Sequence, residues 1–163
     1  MAGERINAGE NIDGIIDRHS GLVYRLALAR TGSAHDAEDV YQDVFLALIS
    51  KPRVFNDDEH LKAWLIRVTV NRCRSLLSSA WRRKTQPLTD DIPYQTREQS
   101  DLLEYLSPLP PKYRAVIHLF YGEELSVEQI GRVLHAKPST VRAWLTRARA
   151  MLKEKLKEDY FNG

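Results

Sequence analysis

The sequence predicts an all-α protein: two small helical domains joined by a flexible linker, the C-terminal one a helix-turn-helix. Three observations predict it. Leu61 to Lys84 repeats apolar residues at helical spacing on two sides, so it should be packed as the spine of a domain. Thr85 to Ser100 (TQPLTDDIPYQTREQS) has two prolines, many polar residues and little periodicity, the composition of a linker. Beyond it, Ser126-Val-Glu-Gln129 is a capping box, and a short turn separates its helix from a second, basic one. The domains expected are therefore 1–84 and 101–163, with 85–100 between them.

Taken in order, Ile12 to Arg30 reads as the first helix, with Ile12, Ile15, Ile16, Leu22, Val23, Leu26 and Ala27 at its apolar positions and Gly21 a weak spot. Thr31-Gly32 ends it. Ser33 is the N-cap of a second helix that runs to about Ser50, with Asp36, Glu38 and Asp39 near the positive end of its dipole. Ala37, Val40, Tyr41, Val44 and Leu48 should face the core. Asp39, Gln42, Asp43 and Leu46 should face outward. Lys51-Pro52-Arg53 breaks this helix, and an acidic loop, Val54 to His60, leads into the spine.

The spine helix carries Leu61, Trp64, Leu65, Val68 and Leu76 on one apolar arc and Ile66, Val70, Cys73 and Leu77 on another. A polar stripe of Arg67, Asn71, Arg74 and Ser78 runs between them, and the tail is Trp81-Arg82-Arg83-Lys84. This stretch has no acidic residue but many basic ones, the footprint of a surface for phosphates. The bland alternative is a packed helix whose stripe faces water.

After the linker, Asp101 to Leu106 is a short helix, and Pro111 opens another that runs to about Tyr121 and closes at Gly122. Its apolar positions are Tyr113, Val116, Ile117 and Phe120. Ile130, Val133 and Leu134 share one face after the capping box. The turn His135-Ala136-Lys137 then leads to a last helix from Pro138, lined inside by Val141, Leu145, Ala148, Leu152 and Leu156. Its outward residues Ser139, Thr140, Arg142, Ala143, Thr146 and Arg147 suit a DNA major groove: Arg reads guanine, hydroxyls bind phosphate or base, and Ala can touch a thymine methyl. An ordinary solvated surface helix is the competing description.

A net charge of +2 hides an uneven distribution. Ser33 to His60 is acid-heavy and Lys137 to Lys157 is basic, so more than one partner is expected. Cys73 is the only cysteine, which excludes an internal disulfide and a cysteine-built metal site. The first ten residues lack a signal-peptide apolar run, and no segment reaches membrane-spanning length, so a cytoplasmic protein is expected.

The face Asp39, Gln42, Asp43, Leu46 admits three descriptions: a solvated face, a grip for a basic helical partner, or carboxylates holding a metal with His35 nearby. No second carboxylate cluster, His pair, nucleophile motif or phosphate-cradling glycine loop completes a catalytic set. The sequence is not expected to be an enzyme.

Taken together, DAEDVYQDVF in an acidic helix, WLIRVTVN in a basic one, a linker, and then LPPKYRAVIHLFYGEELSVEQIGRVLHAKPSTVRAWLTRAR resemble a bacterial RNA polymerase sigma factor of the extracytoplasmic-function (ECF) group. The resemblance runs from about Ile12 to Leu156. It implies that Asp39, Gln42, Asp43 and Phe45, matching an Asp-x-x-Gln-acid-x-Phe pattern, dock on the clamp helices of the polymerase's largest catalytic subunit, which favours a docking face over a metal. It implies that the loop Arg53 to His60 and the spine helix capture unpaired minus-ten bases, with Arg67, Asn71 and Arg74 where recognition occurs. Ser78, Trp81, Arg82 and Arg83 are grouped with them. It also implies that the helix from Pro138 reads the minus-thirty-five element through Ser139, Thr140, Arg142, Ala143, Thr146, Arg147 and Arg149.

This chain departs from the pattern at Ser75, where relatives often have Asp, and at Ala143-Trp144, where many have Ser-Arg. Helical phase assigns Trp144 to packing. The partners implied are core RNA polymerase, promoter DNA and an anti-sigma factor, with no cofactor and no small-molecule substrate. Two rivals come from other classes: a two-domain helix-turn-helix regulator that never docks on polymerase, and a metal-dependent nuclease using Asp36, Asp39 and Asp43.

Overall fold

A computed structural model of the protein describes residues 5–9, 11–79 and 96–162, with side chains as far as Glu158. The chain divides into two compact units, Met1–Tyr94 and Gln95–Gly163.

The first unit is built on α1 (Ile12–Thr31), α2 (Ala34–Ile49) and α3 (Asp58–Ser78). Gly32 ends α1 in the left-handed conformation, φ 70°, where glycine carries no Cβ penalty, and its amide donates to the Leu28 carbonyl at 2.9 Å. Ser33 then caps α2, its hydroxyl accepting from the Asp36 amide at 3.3 Å. Ile15, Leu22, Val23 and Leu26 of α1, Val40, Val44 and Leu48 of α2, and Leu61, Leu65 and Ile66 of α3 are buried together as the core. Each such side chain stabilises the fold by about 1.5–3 kcal/mol relative to exposure.

α3 differs from expectation in two ways. It starts at Asp58, ahead of Leu61, because the Asp57 carboxylate accepts from the His60 amide at 2.7 Å and caps it. Its two apolar arcs are not equally covered. The buried row is Leu61, Leu65, Thr69 and Cys73, with Ile66 beside it, while Trp64, Val68, Val70, Leu76 and Leu77 are half-buried. α1 and α2 both pack against this one wide face. Thr69 enters it because its hydroxyl donates to the Leu65 carbonyl at 2.6 Å, leaving no orphan donor.

A feature absent from the sequence reading is a short antiparallel pair, β1 (Ile6–Asn7) with β2 (Val54–Phe55). β2 lies in the segment expected to be wholly loop.

The second unit contains α4 (Arg97–Leu106), α5 (Pro111–Ile117), a π-helical turn (His118–Gly122), α6 (Val127–Leu134) and α7 (Pro138–Asn162). α4 starts inside the stretch expected to be linker, under a full capping box: the Thr96 hydroxyl accepts from the Gln99 amide at 3.2 Å, and the Gln99 side chain accepts from the Thr96 amide at 3.1 Å. Residues 85–95 of that stretch lie outside the described residues. α5 and the π turn together replace the single helix expected to Tyr121. At the turn the His118 ring is buried, 3.5 Å from the Glu123 carboxylate, and Gly122 sits against it, where a Cβ would come within 2.8 Å of the ring. Leu106, Leu109, Val116, Leu119, Ile130, Val141, Leu145, Ala148 and Leu152 are the core. Leu156, expected on the inner face, is 59% exposed, because the described packing of α7 stops at Leu152.

Candidate nucleic-acid interface

α3 displays the polar stripe as a row. Asn71, Arg74 and Ser78 are exposed and Arg67 is half-buried, their spacing keeping them on one side of a 21-residue helix. Arg74 Nη2 donates to Asn71 Oδ1 at 3.2 Å, while Ser78 turns its hydroxyl back to the Ser75 carbonyl at 2.9 Å. The Arg67 Nε is buried and makes no hydrogen bond. Trp81, Arg82 and Arg83 lie outside the described residues.

Beside the stripe's N-terminal end stands an aromatic corner, formed where the loop Arg53 to His60, expected to take part in base capture, meets Trp64, expected mainly in the core. Phe55 is buried, and its ring lies 5.7 Å from Trp64 and 5.2 Å from His60. The Arg53 guanidinium sits 4.7 Å over the half-buried Trp64 ring, and its Nε donates to the Ala47 carbonyl at 3.3 Å. The Asn56 amide donates to His60 Nδ1 at 3.1 Å, which fixes the outer edge of the corner. The signal available was a Phe and a Trp on either side of a helix start. Nothing in their spacing shows that they meet.

On α2, Gln42 and Asp43 are exposed and Asp39 is half-buried, as the outer-face reading expects. Phe45 behaves differently. It is only 8% exposed, its ring 4.9 Å from Tyr41, so it supports the face from behind. Leu46, expected on this face, is 60% exposed, and Ile49, which the sequence reading does not include, adds a second exposed apolar side chain at 54%. Among the described residues, no group of three or more His, Cys, Asp or Glu could hold a metal, so Asp36, Asp39 and Asp43 do not form one.

In the second unit the capping box forms as the pattern predicts: the Ser126 hydroxyl accepts from the Gln129 amide at 3.1 Å, and the Gln129 side chain accepts from the Ser126 amide at 2.8 Å. The turn is closed by the Ala136 amide donating to the Gly131 carbonyl at 2.8 Å, with His135 left-handed at φ 55°. Gly131 is required there, since a Cβ would meet the Ala136 carbonyl oxygen at 2.6 Å. α7 then buries Val141, Leu145 and Ala148. Ser139, Arg142, Thr146, Arg147 and Arg149 are exposed, and Thr140 and Ala143 half-buried.

Two of these arginines are already engaged. Arg142 pairs with Glu128 of α6 at 3.2 Å, and Arg149 donates to the Tyr121 hydroxyl at 2.7 Å with its guanidinium 5.5 Å from the rings of Phe120 and Tyr121. Trp144 is half-buried with the Lys112 ammonium 4.9 Å over its ring, a packing role.

Asp58 and Cys73, away from the exposed stripe, are among the groups with shifted affinities for protons. Burial alone would raise the Asp58 carboxyl, but the hydrogen bonds and charges of His19 (2.9 Å) and Arg18 (3.1 Å) hold it below its ordinary value, tying the start of α3 to α1. Burial pushes the Cys73 thiol up to about 12, with Arg30 opposing. Among the described residues, no helix is long and apolar enough to cross a membrane.

Sigma-70 region 2 matches residues 15–83, and Sigma-70 region 4 matches residues 99–152. The chain is 31% identical over 157 residues to the ECF RNA polymerase sigma factor SigE of Mycolicibacterium smegmatis, covering 88% of this chain and 61% of that one. It is likewise 31% identical over 157 residues to the ECF RNA polymerase sigma factor SigL of Mycobacterium tuberculosis, covering 88% of each. Among solved structures, CnrH in complex with the cytosolic domain of CnrY superposes with a TM-score of 0.66 at 25% identity, over 92% of this chain and 90% of that one.

Proposed function

Because the chain belongs to the ECF sigma factors of bacterial RNA polymerase, we propose that it docks on core polymerase through α2 and reads promoter DNA with each of its two units. The carrying observation is that a region 2 and a region 4 stand in one chain, with Gln42, Asp43, Leu46 and Ile49 exposed together on α2. Acids flanked by exposed apolar side chains suit a basic, amphipathic helical partner, because charge steers the encounter and apolar burial holds it. Asp39 and the buried Phe45 shape that face.

α7 enters the major groove of the minus-thirty-five element, with Ser139, Thr140, Arg142, Ala143, Thr146, Arg147 and Arg149 toward the DNA. The stripe Arg67, Asn71, Arg74 and Ser78, continued by Trp81, Arg82 and Arg83, receives the separated minus-ten strand, where aromatic and guanidinium faces stack on unpaired bases. Domain roles follow: residues 1–84 dock and capture, 101–163 read duplex. The chain performs no covalent step and needs no cofactor; binding energy at the two elements drives the strand separation. It acts where the polymerase is, in the cytoplasm. The relative CnrH is bound by the cytosolic domain of CnrY, which supports a comparable anti-sigma partner here.

The test is the double substitution Gln42→Ala, Asp43→Ala. Binding to core polymerase should weaken by about tenfold or more, equivalent to ~1.4 kcal/mol, with DNA binding by α7 retained. Equal affinity of variant and parent for core would instead favour a DNA-binding regulator that does not dock.

A further inference from the structure

We propose that the N-terminal segment Arg5–Gly9 is a positioning element for base capture, holding the Arg53–Phe55–His60–Trp64 corner in its receptive shape. The inference rests on the assignment of minus-ten capture to the first unit.

The segment clips onto the loop between α2 and α3 through its backbone. Ile6 pairs with Phe55 and Asn7 with Val54 in antiparallel register, and the Ala8 amide donates to the Arg53 carbonyl at 3.1 Å. The Gly9 amide donates to Asn7 Oδ1 at 3.1 Å, turning the chain away directly after the pair. Two-residue strands have no independent stability. This pair persists because Ala8 (1% exposed) and Phe55 (3%) are buried with it.

The residues so fixed are those that aim the corner. Backbone pairing at 53–55 sets where the Arg53 guanidinium lies over Trp64 and where the Phe55 ring meets Trp64 and His60. On the other side, the Asp57 cap anchors the loop to α3. Without β1 the loop keeps that anchor but loses the one at 53–55, so capture must first order Arg53 to Phe55. Ordering before binding is what preorganisation avoids. The three-helix core, by contrast, draws no residue from the segment other than Ala8. The clip should therefore affect capture selectively.

The experiment compares full-length protein with a chain lacking residues 2–9, with Ala8→Pro, which removes the donor to Arg53, and with Ala8→Gly, which keeps it. Each is assembled with core polymerase. The probe is a labelled single-stranded oligonucleotide carrying the minus-ten element of a promoter that the parent holoenzyme opens, and affinity is read by fluorescence anisotropy. Core affinity and the thermal unfolding midpoint are measured alongside. The deletion and Ala8→Pro should weaken capture about tenfold, with core affinity unchanged and Ala8→Gly, which keeps the donor but loses the buried methyl, weakening capture less than Ala8→Pro. Capture by the deleted chain equal to that of the parent overturns the proposal. So does a parallel loss of capture, core affinity and unfolding midpoint in both the deletion and Ala8→Pro, which marks a general folding role. A parent holoenzyme that fails to retain the oligonucleotide sinks the assignment of capture itself, a different result.

Discussion

Single side chains set the sharpest tests. The Asp58 carboxyl is held below its ordinary value by His19 and Arg18, so it is ionised in the folded chain at pH values where an unfolded carboxyl has begun to protonate. Its stabilising effect is fully present above the unfolded value, about 4, and is lost as pH falls through the lower folded value. Asp58→Asn should therefore lower the unfolding midpoint at pH 7. The gap should close in acid, as thermal melts of variant and parent between pH 7 and 3 will show. The effect is small, because the Asp58 side chain is 53% exposed and screened.

Cys73 gives a second test. With its thiol pushed up to about 12 by burial, native protein at pH 8 should react with a thiol reagent only as fast as it unfolds, and denatured protein at once. At this scale the sequence was informative where a pattern repeats and silent where two residues meet by folding. Gln42 and Asp43 are exposed as their helical phase requires. Phe45, assigned to the docking set by a motif, lies behind that face, buried beside the Tyr41 ring one turn back.

Among the elements, helix starts are governed by short caps, and two of them share one device. Ser126-x-x-Gln129 marked α6 from sequence. The equivalent Thr96-x-x-Gln99 sits in a stretch whose prolines and polar residues predict a linker and outweigh a four-residue signal. α4 consequently starts at Arg97 and not at Asp101. β1 and β2 were not legible, since a two-residue strand has no periodicity to detect and its partner lies nearly fifty residues away. Ser126→Ala should cost about 1 kcal/mol through loss of the cap. Gly131→Ala should cost about 1–3 kcal/mol, because the new methyl meets backbone that cannot yield. Denaturant unfolding followed in the second unit measures both. The order of the two costs is the discriminating result, since only Gly131 holds the turn that aims α7.

For the whole molecule the governing quantity is where charge sits, since a net +2 predicts little by itself. α7 gathers Arg142, Arg147 and Arg149 on exposed positions. Arg147→Ala should reduce the slope of log affinity against log salt for a minus-thirty-five duplex by about one if it contacts phosphate, and weaken all sequences alike. Arg142→Ala should instead relax discrimination at one base pair, a loss of about 1–3 kcal/mol there. Salt titrations on matched and mismatched duplexes separate the two roles. One more consequence follows from burying the single cysteine in the α1–α3 core. The thiol of Cys73, buried and pushed up to about 12, is kept from peroxide and from disulfide exchange while the fold stays closed. An oxidant that reaches Cys73 must wait for that core to open.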